Sequence, residues 1–213
     1  LQDKGIDVEV GVNEDRARSI NPRFFTYHEK KRPYIILKYA ATLDGFLAEP
    51  DGKSKWITSS KSRESVQLLR STCDAILVGR HTVEKDDPNL TSHGIGKDPI
   101  KIILDPSNKL SKEYSAIDEN TIHFTSELIS NSPKENIDIV LNKLYQMNIQ
   151  SLLVEGGAVT LTHFIESDMF DEIHAYYAPK LLGKGKTIFN GKKGISELLN
   201  LSIVDTEIFD NDI

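Results

Sequence analysis

Leu152-Leu153-Val154-Glu155-Gly156-Gly157-Ala158 runs from three branched apolar residues through a carboxylate into two residues without a Cβ. A short buried strand that turns at once into a helix reads this way, and Val159, Phe164 and Ile165 supply the helical spacing that follows. Ile76-Leu77-Val78-Gly79-Arg80-His81-Thr82 repeats the arrangement of strand, glycine and helix start. Working outward from these two, at 152–154 and 75–78, further short apolar runs lie at residues 34–41, 100–104 and 173–177, with helical patterns between runs in Val66, Leu69 and Cys73 and in Ile137, Val140, Leu141 and Leu144. Strands separated by helices need crossover connections, so the expectation is an α/β fold with a mostly parallel central sheet flanked by helices. Residues 171–179, 187–189 and 199–209 read as strands with little helix between them, and antiparallel pairing is expected in this C-terminal part.

The 213 residues are 38% hydrophobic and 27% charged, enough for one sizeable core. No run approaches the ~20 apolar residues of a bilayer-spanning helix. A net charge of −6 gives no general attraction to polyphosphate, so neither membrane nor nucleic acid is an expected partner. Cys73 is the only cysteine and fits a helical apolar stripe; it can form no internal disulfide, and a reducing, cytoplasmic setting is expected. Leu1-Gln2-Asp3-Lys4 carries neither an initiator Met nor a leader pattern, which suggests a piece of a longer chain. Residues 1–32 read as an appendage: Val8 to Val12 alternate like a short strand, Asn13-Glu14-Asp15 like a helix start, and Glu29-Lys30-Lys31-Arg32 like a linker into a main domain, 33–213.

Two glycine turns at the carboxyl ends of parallel strands form the kind of crevice in which ligands bind, and free backbone N–H groups at a helix start can cradle a phosphate; a tight strand-to-helix turn is the alternative. Neither matches G-x-G-x-x-G. Glu155 either faces this crevice, pairs with a cation, or lies at the surface. Lys38 interrupts an apolar strand, where it either meets a partner or ligand or guards a sheet edge. Arg70, late in a helix, reads as a phosphate-binding cation or a solvated one, and Trp56 as a wall for a flat heterocycle or a core residue. The six histidines show no H-x-E or H-E-x-x-H spacing, so no metal is expected, and no G-x-S-x-G elbow is present.

Together, Lys38-Tyr39-Ala40-Ala41-Thr42-Leu43-Asp44-Gly45, Ser54-Lys55-Trp56-Ile57-Thr58, Asp74-Ala75-Ile76-Leu77-Val78-Gly79 with Thr82-Val83, Asp86-Asp87-Pro88-Asn89-Leu90-Thr91, Val154-Glu155-Gly156-Gly157 and Ala178-Pro179-Lys180-Leu181-Leu182-Gly183 resemble, in order, the reductase domain of bifunctional riboflavin-biosynthesis deaminase/reductase proteins. The resemblance implies a dihydrofolate-reductase-like fold and NADPH-dependent reduction of 5-amino-6-(5-phosphoribosylamino)uracil to its ribitylamino form, with hydride delivered to C1′ of the ring-opened sugar. It makes Lys38 and Glu155 the catalytic pair, with Glu155 also contacting substrate. It places Ala40, Trp56, Gly79, Thr82, Asp86, Gly156, Gly157, Ala158 and Val159 against the cofactor. Ser54, Arg70, Leu90 and His93 fall at substrate positions, Arg70 toward the 5′-phosphate. It implies a homodimer, and it makes residues 1–32 the tail of a deaminase domain whose zinc motif this chain lacks.

Two positions depart from the family pattern. His93 stands where an arginine is frequent, leaving phosphate contact to His93 or Lys97, and Pro106 stands where a hydroxyl residue is frequent. Two other readings stay open: a catalytically silent nucleotide-binding scaffold for an attached deaminase, and a reductase of the same fold acting on a pterin or another carbonyl compound.

Overall fold

The computed structural model describes residues 1–54, 57–126, 130, 132–189 and 199–213. After a 3-10 turn at Gln2–Lys4 come helices α1 (Glu14–Ile20) and α2 (Pro22–Lys30). The body then alternates β1 (Tyr34–Thr42), β2 (Phe46–Ala48), α3 (Ser60–Ser71), β3 (Ala75–Gly79), α4 (Arg80–Asp86), β4 (Ile100–Leu104), β5 (Ile122–Phe124), α5 (Pro133–Gln146), β6 (Ser151–Val154), α6 (Ala158–Glu166), β7 (Glu172–Ala178) and β8 (Lys186–Thr187).

Six strands form one sheet in the order β5-β4-β3-β6-β1-β7, and every pairing in it is parallel. Side chains alternate across a strand, so each helix layer packs on one parity. Ile35, Leu37, Leu77, Leu152 and Val154 meet Ile137, Leu141 and Leu144 of α5 and Leu161 and Phe164 of α6. On the other face Ile36, Ile76, Val78 and Leu153 pack with Cys73 and with Val83 of α4. Ser59 caps α3 by accepting the Ser62 N–H. Cys73 lies just past that helix and is buried, as its place in the stripe implied.

The α/β architecture with a parallel sheet and some antiparallel pairing in the C-terminal part is as expected, but two of the C-terminal strands differ from the expectation. Strand β7 pairs parallel with β1 from Ile36↔Glu172 to Thr42↔Ala178, because α6, the helix expected after Gly157, supplies the crossover between β6 and β7. Among the described residues, antiparallel pairing joins β2 with β8, Tyr177 with Ile213 through mutual backbone bonds, and Phe209 with Asp212 in a bridge. Residues 199–208 carry no strand. The strand expected at Val8 to Val12 is likewise absent: Val10 and Val12 are exposed, and a lone strand has nothing to satisfy its backbone. The N-terminal helices are tied to the body instead. Arg23 donates to the Thr72 carbonyl, Tyr27 to the Tyr145 carbonyl, and Lys30 and Arg32 both pair with the buried carboxylate of Asp171. The expected linker is therefore partly the end of α2 and partly this anchor.

Candidate active site

The register of β1 and β6 decides where the charges fall. Leu37 lies beside Val154, so the next residue of each strand, Lys38 and Glu155, meets its neighbour at the carboxyl edge of the sheet. Strand β1 runs between β6 and β7, so Lys38 is no edge guard. It follows Ile36 on the α3 face, its side chain is 15% exposed, and its Nζ is 3.5 Å from Glu155 Oε2. The Glu155 N–H donates to the Leu77 carbonyl at 3.0 Å, which pins the carboxylate between β3 and β1. From the last turn of α3, Arg70 sends Nε to Glu155 Oε1 at 2.7 Å and Nη2 to Oε2 at 3.0 Å. Its Nη1 donates to the Thr91 carbonyl at 3.0 Å. Burial alone would push the Glu155 carboxyl up, but Lys38 and then Arg70 outweigh it and hold the pKa at about 2. The group is an anion at every physiological pH.

The two glycine turns converge as the crevice reading requires. A Cβ on Gly79 would lie 2.6 Å from Thr160 Oγ1, and one on Gly156 would lie 2.5 Å from Thr160 Cβ, so both turns are shaped by the close approach of α6. Thr82 accepts the Gly157 N–H at 3.1 Å and joins the starts of α4 and α6. No side chain caps α6, and Ala158, Val159 and Thr160, whose N–H groups have no partner within a helix, line the space in front. That space is a cavity of about 920 Å³, large for a small-molecule pocket, whose walls include Lys38, Glu155 and both turns.

Ala40, Ser54, Arg70, Gly79, Thr82, Asp86, Leu90, His93, Gly156, Gly157, Ala158 and Val159 all line this cavity with Lys38 and Glu155. Trp56 lies outside the described residues. Leu90 and His93 both adopt left-handed backbone, with φ of 56° and 52°. Between them Ser92 is buried and binds Asp98 through both its N–H and its hydroxyl, which fixes the loop. His93 lines the cavity and Lys97 is not part of its wall.

Sequence reasoning missed several wall residues. Tyr176 of β7 lies opposite Ala40 in register; its ring centroid is 5.7 Å from Lys38 Nζ and its hydroxyl meets Ser65 at 3.1 Å. Strand parity gives its position once β7 is known to run beside β1. Ser107 stands at the cavity one residue after Pro106, hydrogen-bonded to the fully buried Asp105, and so returns a hydroxyl to that turn. His163 on α6 completes that flank, and burial pushes it toward its neutral form. Among the described residues no three His, Cys, Asp or Glu side chains gather as a metal site.

Comparison with known proteins gives a consistent result. A family model, the RibD C-terminal domain, matches residues 33–213. The riboflavin biosynthesis protein RibD of Aquifex aeolicus (strain VF5) is 41% identical over 222 residues, covering 94% of this chain and 62% of that protein. That of Actinobacillus pleuropneumoniae is 32% identical, covering 100% of this chain and 64% of its own length. The crystal structure of a Thermotoga maritima diaminohydroxyphosphoribosylaminopyrimidine deaminase/5-amino-6-(5-phosphoribosylamino)uracil reductase superposes with a TM-score of 0.86 at 35% identity, covering 99% of this chain and 63% of that one. The chain thus spans somewhat under two thirds of the length of these relatives.

Proposed function

The chain belongs to the RibD C-terminal domain family, and from that premise we propose that its crevice carries out the NADPH-dependent reduction of 5-amino-6-(5-phosphoribosylamino)uracil to the ribitylamino compound. One observation carries the reading: Lys38 and Glu155, 3.5 Å apart, stand on the wall of the same cavity as the uncapped start of α6 and the Gly79 turn. A dinucleotide fits these residues. The α6 N–H groups suit a diphosphate, and a side chain at Gly79 or Gly156 would collide with Thr160 and disturb the turns that hold α6 in place. Ala40, Thr82 and Asp86, on the wall of the same cavity, would contact the cofactor.

When bound, the dihydronicotinamide supplies a hydride to C1′ of the substrate. The chain supplies position and protons. Opening the ribosyl ring moves a proton from the anomeric nitrogen to O4′, and reduction at C1′ then calls for one more proton on that nitrogen. Lys38, its ammonium held against Glu155, gives a proton to O4′ as the C1′–O4′ bond breaks, recovers one from the nitrogen, and gives it back to that nitrogen on reduction, to be recharged from solvent. Glu155, ionised throughout, accepts hydrogen bonds from the sugar hydroxyls and fixes the open chain. Ser54, Leu90 and His93 form the substrate end of the cavity. The relatives' greater length supports action beside a deaminase domain that delivers the substrate, and residues 1–32 would be the tail of that domain. A homodimer in the cytoplasm completes the proposal; sedimentation tests the dimer, and no helix among the described residues is long and apolar enough to cross a membrane.

The test follows NADPH absorbance with the pyrimidine substrate. Consumption by the wild-type chain, cut at least ~100-fold in Lys38→Ala and Glu155→Gln with cofactor binding retained, is expected. NADPH that binds and is never consumed favours the scaffold reading; consumption only with a pterin or another carbonyl compound favours the third.

A further inference from the structure

Helix α3 turns one row of side chains to the cavity: Arg63, Val66, Gln67 and Arg70 all stand on its wall. Arg63 donates to the Thr58 carbonyl at 2.8 Å, and Arg70 bonds Glu155 and the Thr91 carbonyl. Gln67, between them, is different. It is half-buried, and among the described residues its amide has no hydrogen-bond partner. Polar groups drawn out of bulk water ordinarily find one. A carboxamide sets N–H donors beside a carbonyl acceptor, so a ligand edge that offers an acceptor next to a donor satisfies it with two parallel bonds, as when glutamine reads the edge of a base.

The place of Gln67 selects the ligand. Leu69 of α3 packs on the sheet face of Ile36, Ile76, Val78 and Leu153, the face that also carries Lys38, whereas Leu161 and Phe164 of α6 pack on the opposite face. Gln67 therefore stands away from the α6 start that suits a diphosphate, on the side of the reacting sugar. Residues three apart on a helix have Cβ atoms about 5–6 Å apart, which puts Gln67 one turn from Arg70 and from the Glu155 carboxylate that Arg70 holds at 2.7 Å. In the substrate the uracil ring hangs from C1′ through a single nitrogen, so a C1′ beside Lys38 and Glu155 brings that ring within reach of the amide. The ring offers N3–H with a carbonyl on either side, a match for a carboxamide in both directions, while N1–H is crowded by the sugar chain on the next carbon. We propose that Gln67 is a specificity-determining residue: its carboxamide pairs with N3–H and a neighbouring carbonyl of the pyrimidinedione and so selects the base. The inference rests on the reading of the crevice as a reductase site.

Gln67→Leu removes the amide, and Gln67→Met does so while keeping the length of the side chain. Calorimetry measures the affinity of wild type and both variants for the ribitylamino product, its N3-methyl analogue, ribitol 5-phosphate, which lacks the base, and NADPH. Wild type is expected to prefer the product over the N3-methyl analogue by roughly 10-fold or more, two neutral hydrogen bonds being at stake. In both variants the product should bind roughly 10-fold more weakly and that preference should shrink below about 3-fold, with ribitol 5-phosphate and NADPH within about 2-fold of wild type. In turnover the loss should fall mainly on KM, as for a contact made alike in ground and transition state. An N3-methyl preference that survives in the variants would overturn the proposal. So would an equal loss for ribitol 5-phosphate, which puts the amide on the sugar chain, or a loss confined to NADPH, which puts it on the cofactor. Wild-type protein that binds NADPH but neither consumes it nor binds the product overturns the reductase reading and the proposal together; wild type that turns over normally beside variants with an intact N3-methyl preference overturns the Gln67 assignment alone.

Discussion

Replacing Glu155 with glutamine keeps the shape of the side chain and one carbonyl oxygen but removes the anion that Lys38 and Arg70 share. Burial would by itself raise the pKa of Glu155; Lys38 and then Arg70 bring it from an ordinary 4.5 to about 2. At about 1.4 kcal/mol for each tenfold change in proton affinity, that depression is worth about 3 kcal/mol of stability at neutral pH. Since the folded value lies below the unfolded one, the contribution is complete above about pH 4.5 and disappears as the pH falls toward 2. The variant also leaves two buried cations facing each other, so the full loss at pH 7 is expected at about 3–5 kcal/mol. For a chain of this size that lowers Tm by roughly 2–4 °C per kcal/mol. Urea unfolding of wild type and Glu155→Gln at pH 7 and pH 3 measures it. The gap between the two proteins should shrink by about 2 kcal/mol at pH 3, where the wild-type carboxylate has lost much of its advantage. A gap that is the same at both pH values, or below about 1 kcal/mol at pH 7, refutes the electrostatic account, since exposed ion pairs give no more than that.

Gly79→Ala should cost about 1–3 kcal/mol, because its Cβ would lie 2.6 Å from Thr160 Oγ1, and adding Thr160→Ala should recover most of it; thermal melts decide, and no rescue would mean the contact with α6 is not the constraint. His93→Arg places a permanently charged fork at the substrate end of the cavity and should lower KM for the phosphorylated substrate by roughly 3- to 10-fold, with no gain for the dephosphorylated one, a charge-assisted contact being worth about 1.5 kcal/mol or slightly less; equal effects on both would remove this position from phosphate recognition. Asp171→Asn breaks the shared contact of Lys30 and Arg32 with a carboxylate that also accepts the Ile35 N–H. It should destabilise by about 3 kcal/mol at pH 7 and expose residues 1–32 to trypsin, whereas an unchanged cleavage pattern would show that α2 is held by other contacts. Against Asp171, burial acts to raise the pKa and Arg32 leads the groups that hold it below the ordinary value, so this stabilisation too is present above the unfolded pKa and fades in acid.

The central strands were legible because burial on both faces demands unbroken apolar runs, and 75–78 and 152–154 are such runs, with Ala75 to Val78 and Leu152 to Val154 almost fully buried. The three-residue strands β2 and β5 are shorter than any periodicity can register. The direction of β7 was not legible, since a half-buried strand at the sheet's edge alternates in the same way whether its neighbour runs with it or against it. The site was legible where a residue broke a local rule: a lysine within an apolar strand, a carboxylate before two glycines. Tyr176 and Ser107 break none, and only the register of β1 with β7 and the turn held by Asp105 bring them to the cavity.

Those rule-breaking residues also explain how an acidic protein can present an attractive wall to a phosphorylated ligand. One carboxylate sits between two cations, so the cluster of Lys38, Glu155 and Arg70 carries a net positive charge although each member is satisfied. The start of α6 adds a partial positive charge to the same wall, and His93 stands on another part of it. Fields inside a low-dielectric cleft are felt far more strongly than the dispersed surface charge that makes up the total of −6. An uncharged lining at Lys38 would leave Glu155 and Arg70 neutral as a pair, and the crevice would lose its positive excess while its shape stayed the same. If the interior lysine is the proton donor of the proposed reaction, it serves also as the unmatched charge, so Lys38→Met should weaken binding of the phosphorylated product as well as turnover. Unaltered product affinity in that variant, measured by calorimetry, would separate the two roles and confine Lys38 to the chemistry.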